Sequence, residues 1–359
     1  MSKSQFRFLN VVEASQELIE APDIYATPEY GRAAEVAEKA SWELARCSFP
    51  ECGVSCYYVY LKRPVHDADG NTICEDLISP YGYSGPWATG DVKEVHWNSF
   101  REQFVDYAVK KNYAAEFVRF SPLLEEHQKL FRLTAEGTLT SWLHQDTVAI
   151  DICAGVEAYM KRSKKRHRRG VRKAQHIGYA AKVSTAEFNS LELFVKLYEN
   201  TMRRTKAKST YFFPIEYYEA LCSGLGSHLK LVTITHPNGT LAAAALYMTW
   251  DKFLHYHLGG SAVEFLGDGV NDLMHHVTAR WGVENGFRIQ HLGGGLKNGD
   301  SLHAFKQSIG DIHLSWYLGK AILSRNLYAK LVDIHAERQG VQKEALVATG
   351  YFPAYRAQA

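Results

Sequence analysis

At 359 residues, with 46% apolar and 22% charged side chains, the chain is long enough for two globular cores and too apolar for a disordered segment. A formal net charge of +2 excludes a uniformly basic nucleic-acid binder, so affinity for phosphates has to come from a local patch. No apolar run reaches the roughly 18 residues of a membrane span, and Met1 to Glu20 lacks the apolar core of a secretory signal, so a cytoplasmic protein is expected.

Cysteines at 47, 52, 56, 74, 153 and 222 form no CxxC pair and have no histidine at ligand spacing. They read as buried or idle thiols in a reducing compartment, and no metal is expected.

Arg32 to Arg46 reads as a helix, and Val54 to Leu61 as a strand rich in β-branched and aromatic residues. His66 to Asn71 is a turn marked by Asp69-Gly70, with a partner strand from Thr72 to Ile78. The next segment, Ser79 to Trp87, is aromatic and bounded by prolines. It is either a surface loop packing its own rings or a ligand-facing loop presenting Tyr81 and Tyr83. Asn98 to Lys111 is an amphipathic helix with Trp97, Phe100, Phe104 and Tyr107 turned inward as core. Ala115 to Phe120 is a strand on which Arg119 is an edge residue or an anion clamp. Leu133 to Leu143 reads as irregular, and the strand Thr147 to Ile152 closes the first half.

Nine of the thirteen residues from Lys161 to Lys173 are Lys or Arg. The run is either a solvated interdomain helix or a contact for phosphates. An apolar stripe from Phe188 to Met202 marks a helix, followed by Arg203 and by Tyr211-Phe212-Phe213; Pro214 opens another helix through Leu221. Three strands follow, Leu229 to Thr235, Thr240 to Trp250 and Phe253 to Leu258, the first two joined at Asn238-Gly239. Ala242 to Ala245 indicates close packing against a helix. Beyond Gly259-Gly260-Ser261, a helix runs to Glu284 with Asn271 as its cap, and a strand runs from Phe287 to Leu292. Gly293-Gly294-Gly295 and Asp300-Ser301-Leu302 lead into a short helix with Phe305 and Lys306. A helix from Leu318 to Ala336 and a thin tail with Pro353 complete the chain.

No Gly-x-Ser-x-Gly elbow and no Cys–His pair is present, so direct attack of one bound substrate on another is simpler than a covalent intermediate. The triple glycine has neither dinucleotide nor P-loop spacing. By itself Lys306 reads as a surface lysine outside the core.

Taken in order, Gly259-Gly260-Ser261, Asn271-Asp272-Leu273, Leu292 to Gly295, Asp300-Ser301-Leu302 and Phe305-Lys306 resemble the Fem-type acyltransferases, relatives of the GNAT N-acyltransferase superfamily. The resemblance runs from about Ile73 to Leu318. It implies an α/β (α+β) fold of two tandem GNAT-like domains with mixed, largely antiparallel sheets. These would be an N-terminal domain over 1–160, a C-terminal GNAT domain over 161–325, and a helix and tail over 326–359.

The resemblance also implies an N-acyltransferase moving an aminoacyl or acyl group to an amine, for example that of a peptidoglycan-precursor peptide. The donor would be a co-substrate, charged tRNA or acyl-CoA, with no resident cofactor and no DNA partner. The GNAT signature Arg/Gln-x-x-Gly-x-Gly/Ala is not found, which favours aminoacyl-tRNA. An acyl-CoA-dependent enzyme acting on a small-molecule or polysaccharide amine is one alternative. A non-catalytic RNA- or anion-binding protein using the basic run is another. In this family Lys306 and Phe305 would line the acyl-transfer site, with Lys306 neutralising an oxyanion. Tyr81, Tyr83, Arg119, Arg203, Tyr211, Tyr256, His257, Asn271, Gly294 and Ser301 would bind substrate.

Overall fold

The computed structural model describes residues 4–17, 20–67, 69–297 and 299–358. In chain order it begins β1 (Gln5–Asn10), α1 (Val11–Gln16), α2 (Pro28–Glu38), β2 (Ser41–Phe49), β3 (Val54–His66) and β4 (Thr72–Ile78). Then come β5 (Trp87–Thr89), α3 (Glu94–Lys110), β6 (Tyr113–Arg119), α4 (Glu125–Thr134) and β7 (Thr140–Asp151). The next elements are α5 (Val156–Arg162), α6 (Lys165–Ile177), β8 (Ala180–Thr185), α7 (Glu192–Arg204), α8 (Ile215–Leu225), β9 (Leu229–Thr235) and β10 (Leu241–Trp250). The chain ends with β11 (Phe253–Ser261), α9 (Val270–Glu284), β12 (Ile289–Gly293), α10 (Ser301–Ile309), β13 (Ile312–Ile322), α11 (Arg325–Gln339) and α12 (Lys343–Ala348). Ala68 of the expected turn lies outside the described residues. No helix among the described residues is long and apolar enough to cross a membrane.

Two compact units result, Met1–His144 with Trp316–Ala359, and Gln145–Ser315. In the first, β1 to β4 form an antiparallel meander, α3 crosses over, and β6 lies parallel to β4. Leu318 to Ile322 of β13 then pairs antiparallel with β6. In the second, β8 to β11 repeat the meander, α9 crosses over, and β12 lies parallel to β11 with the end of β7 antiparallel beside it. The same strand plan therefore occurs twice, as mixed and mostly antiparallel sheets.

The unit boundaries differ from 1–160, 161–325 and 326–359. Val148 to Asp151 pairs with β12, which draws residues 145–160 into the second unit. The stretch expected as a helix from Leu318 is strand as far as Ile322, because each residue there finds a partner on β6. The expected thin tail is folded onto the first unit, where the Tyr355 hydroxyl and Arg356 Nε reach Asp76 of β4 at 3.0 and 2.6 Å. The segment expected to be irregular already enters β7 at Thr140. All of these depend on partners distant in sequence, which local pattern does not specify.

Trp97, Phe100 and Phe104 are buried as expected, in a cluster with Tyr58 and Tyr60 of β3. In the second unit Ala242, Ala243 and Ala245 share a core with Leu273, Met274 and Val277 of α9, the close packing anticipated for the alanine run. Gly259 to Ser261 do not close β11 but extend it, paired with Ala245 to Ala243. Gly260 is required there: a Cβ would lie 2.8 Å from the Leu197 carbonyl of α7, so only glycine lets that helix rest on the strand.

Candidate active site

β11 and β12 pair only over Phe253–His255 and Ile289–His291. Beyond that β11 continues along β10 to Ser261, while β12 stops at Gly293. The two neighbouring strands therefore part beyond His255 and His291. Lys306 stands where they part: Nζ donates to the Gly294 carbonyl, just past β12, at 2.6 Å, and lies 5.7 Å from the ring centre of Tyr256 on β11.

Asp300 positions this lysine. Its Oδ2 accepts from the backbone N–H of Leu296 and Lys297 at 2.6 and 2.9 Å, and its Oδ1 caps α10 by accepting from His303 N at 2.7 Å. The cap sets the phase of the helix, so His303, Lys306 and Ile309, three residues apart, all turn inward. Lys306 is consequently only 6% exposed, against the expectation of a surface residue. It has no carboxylate partner among the described residues, and two of its three N–H donors are unspent. Burial pushes its pKa down to about 7, with Asp300 acting weakly in the opposite sense. In the loop after β12 the Leu296 and Lys297 N–H groups are thus given to a carboxylate and the Gly294 carbonyl to Lys306.

Two rings close to the lysine, Tyr256 and His275, are uncharged. Gln290 Nε2 donates to the Tyr247 hydroxyl at 3.3 Å, and that hydroxyl shares a hydrogen bond of 2.7 Å with His275 Nδ1. Burial holds His275 at a pKa of about 3 and pushes Tyr256 up to about 12, so neither carries charge near neutrality. Phe305 lies 4.8 Å below the Arg166 guanidinium. Among the residues assigned to the site, the structure thus brings together Lys306, Phe305, Tyr256 and Gly294.

The others are placed elsewhere. His257 alternates with Tyr256 along β11 and so faces the opposite side of the sheet, where the Tyr217 hydroxyl sits 2.6 Å from its Nε2. Asn271 is not the cap, since Gly269 holds that position; its Oδ1 accepts instead from Ser261 Oγ at 2.7 Å. Arg203 is an exposed helix residue paired with Glu199 at 2.7 Å. Tyr211 offers its carbonyl to the Tyr198 hydroxyl at 2.8 Å, and Ser301 is exposed at the start of α10. In the first unit the Tyr81 carbonyl accepts from the Tyr30 hydroxyl at 2.7 Å, and Tyr83 meets Tyr25 and Trp316 edge to face. Arg119 donates to the Ser79 carbonyl at 2.9 Å, holding the loop after β4.

The basic run forms α5 and α6. Arg162, Arg166, Arg168 and Lys173 bond to the protein, whereas Lys161, Lys164, Lys165, Arg169 and Arg172 have no ion-pair partner among the described residues. A groove of about 450 Å³ is lined by Glu157, Met160, Lys161, Arg168 and Arg172. On its inner face α6 lies across the start of α9: His167 and Arg166 reach Asp272 at 2.8 and 3.4 Å. Two glycines permit this. A Cβ on Gly170 would fall 2.3 Å from Asp272 Oδ2, and Gly269, at φ +81°, has the Gly170 carbonyl where its own Cβ would be. Gly267-Asp268-Gly269 carries the two glycines of the GNAT signature, with Glu264 in place of Arg or Gln. Sequence reasoning passed over this loop and the Asp272–His167 pair, although the Gly-x-Gly spacing was legible.

Residues 161–307 match the family model of the acetyltransferase (GNAT) domain. Among solved structures, FemX is similar at 14% identity with a TM-score of 0.67, covering 90% of this chain and 99% of that one. The C-terminal domain of a putative lysylphosphatidylglycerol synthetase from Agrobacterium fabrum is similar at 15% identity and TM-score 0.55, over 91% of this chain and 96% of that one. L-PGS from Bacillus licheniformis follows at 17% and 0.51, over 75% and 86%. At these identities the likeness is one of fold. No curated relative matches the sequence. The GNAT match falls on the unit that holds Lys306, which is thus a GNAT-type domain, and the FemX-like fold extends over most of the chain.

Proposed function

We propose that this N-acyltransferase moves an aminoacyl group from charged tRNA to the amine of a peptidoglycan-precursor peptide or a related cell-wall or metabolite amine. The observation that carries the reading is Lys306, a buried ammonium without a carboxylate, standing where two strands part. Such a group is expensive to bury and is put to use where negative charge develops. The neutral amine forms a C–N bond to the acyl carbon, and the carbonyl electron pair moves onto oxygen. Lys306 donates its unspent N–H groups to that oxyanion. Collapse breaks the C–O ester bond; the amine gives up a proton and the departing ribose oxygen gains one.

The crossing of α6 over the start of α9 supports a donor other than acyl-CoA, because the backbone near Gly269 is already packed against Gly170. The Gly267-x-Gly269 spacing favours acyl-CoA as the second reading. Supplying charged tRNA or acyl-CoA with a muramyl pentapeptide separates them. Product is expected from charged tRNA, and product from acyl-CoA alone would overturn the donor assignment.

The exposed cations of α6 provide an independent check. Replacing Lys165, Arg169 and Arg172 with Ala is expected to weaken tRNA binding and flatten its log–log salt dependence by about 2–3. An unchanged slope would return the run to a solvated helix.

A further inference from the structure

The first unit contains a cavity of about 390 Å³ between β3, α11 and the C-terminal segment, within the size range of small-ligand sites. Three guanidinium groups line it, those of Arg63, Arg338 and Arg356, and no carboxylate does. Asp76 lies behind the wall, accepting from Arg63 Nε at 2.9 Å through Oδ1 and from Arg356 Nε at 2.6 Å through Oδ2. Glu38 is within electrostatic reach of Arg63 without bonding to it. Even counting both acids, three cations against two leave the cavity positive.

The guanidiniums are not equally committed. Arg356 is mostly committed, with Nε on Asp76 and Nη2 on the Pro64 carbonyl at 2.9 Å. Arg63 has a side chain only 12% exposed, fixed through Nε alone, and its Nη1 and Nη2 have no partner among the described residues. Arg338, exposed near the end of α11, makes only a long 3.4 Å contact to the His66 carbonyl. A fork immobilised at its base with its outer N–H groups unspent is preorganised for an oxyanion. Leu331, Ile334 and Tyr351 supply an apolar wall on the same cavity.

We propose that this cavity is a second binding site, separate in chemistry from acyl transfer, for a phosphate monoester carrying a flat or apolar body. A carboxylate satisfies one guanidinium fork, whereas the three oxygens of a phosphate can engage both Arg63 and Arg338. Occupancy would also tie the C-terminal segment, through Tyr355 and Arg356, to β3 and β4.

Phenyl phosphate is the probe, with binding followed by calorimetry on the full chain. Saturable binding is expected, weakened at least about tenfold in Arg338→Glu, which removes a charge-assisted contact and adds repulsion. Arg338 is chosen because it is exposed and anchors nothing, while Arg63 also holds Asp76. Three results would overturn the proposal: undiminished binding in Arg338→Glu, loss of binding in Arg172→Glu instead, or benzoate binding as tightly as phenyl phosphate. Absence of saturation up to about 10 mM would do the same.

Discussion

Replacing Lys306 with methionine is expected to lower turnover by about a hundredfold or more, the usual loss when one preorganised oxyanion donor is removed. Stability should hold or increase. Lys306 is buried without an ion pair, and its pKa falls from the ordinary 10.5 to about 7. The folded state is therefore penalised for carrying the proton. That penalty is fully present below pH 7 and fades as pH rises toward 10.5, where the unfolded chain also loses the proton. Lys306→Met should abolish this alkaline gain in stability, seen as a melting temperature that no longer climbs between pH 7 and 9. Activity has the opposite sign. If the ammonium is the working form, the rate falls as pH rises through about 7. Lys306→Arg, which keeps its charge, should remove that alkaline limb even if its overall rate is lower. Full activity in Lys306→Met would dispose of the site assignment.

Acid should unfold the second unit well above the carboxylate range. Burial holds His257 and His275 at a pKa of about 3 and His276 at about 4, and it lowers His291 well below its ordinary value. All four stay neutral when folded and take up protons when unfolded once pH drops below about 6.5. The unfolded state then binds more protons, so stability is lost as pH falls. Each histidine contributes a slope of about 1.4 kcal/mol per pH unit between its unfolded and folded values. Asp268 and Asp300, whose carboxyls are held low, lose their contribution only below pH ~4, so the window from 6.5 to 4.5 belongs to the histidines. Urea unfolding at half-unit pH steps would show it. His275→Gln, which keeps an acceptor for the Tyr247 hydroxyl, should reduce the slope by one histidine's share. A flat stability profile over this window would show these rings to be hydrated.

The order of elements in the second unit, the alanine strand under a helix, the inward aromatics of α3 and the Phe305–Lys306 pair were all legible from periodicity, turn residues and motif order. Those signals are local: alternation places side chains on one face of a strand, and three- and four-residue steps place them on one face of a helix. By the same alternation Tyr256 and His257 had to lie on opposite faces of β11, which separated two residues that motif proximity had grouped. What only the tertiary structure decided rests on partners far apart in sequence. Leu318 to Ile322 becomes strand because β6 offers it a ladder, and the tail folds because Asp76 offers Tyr355 and Arg356 a buried carboxylate. Lys306 is buried because Asp300 sets the phase of α10, while Gly170 and Gly269 let α6 lie across the start of α9. The sequence by itself singled out Lys306 and its neighbours as candidates. Burial, which converts an ordinary lysine into one that titrates near pH 7, arises only when strands and helices distant along the chain exclude water from it.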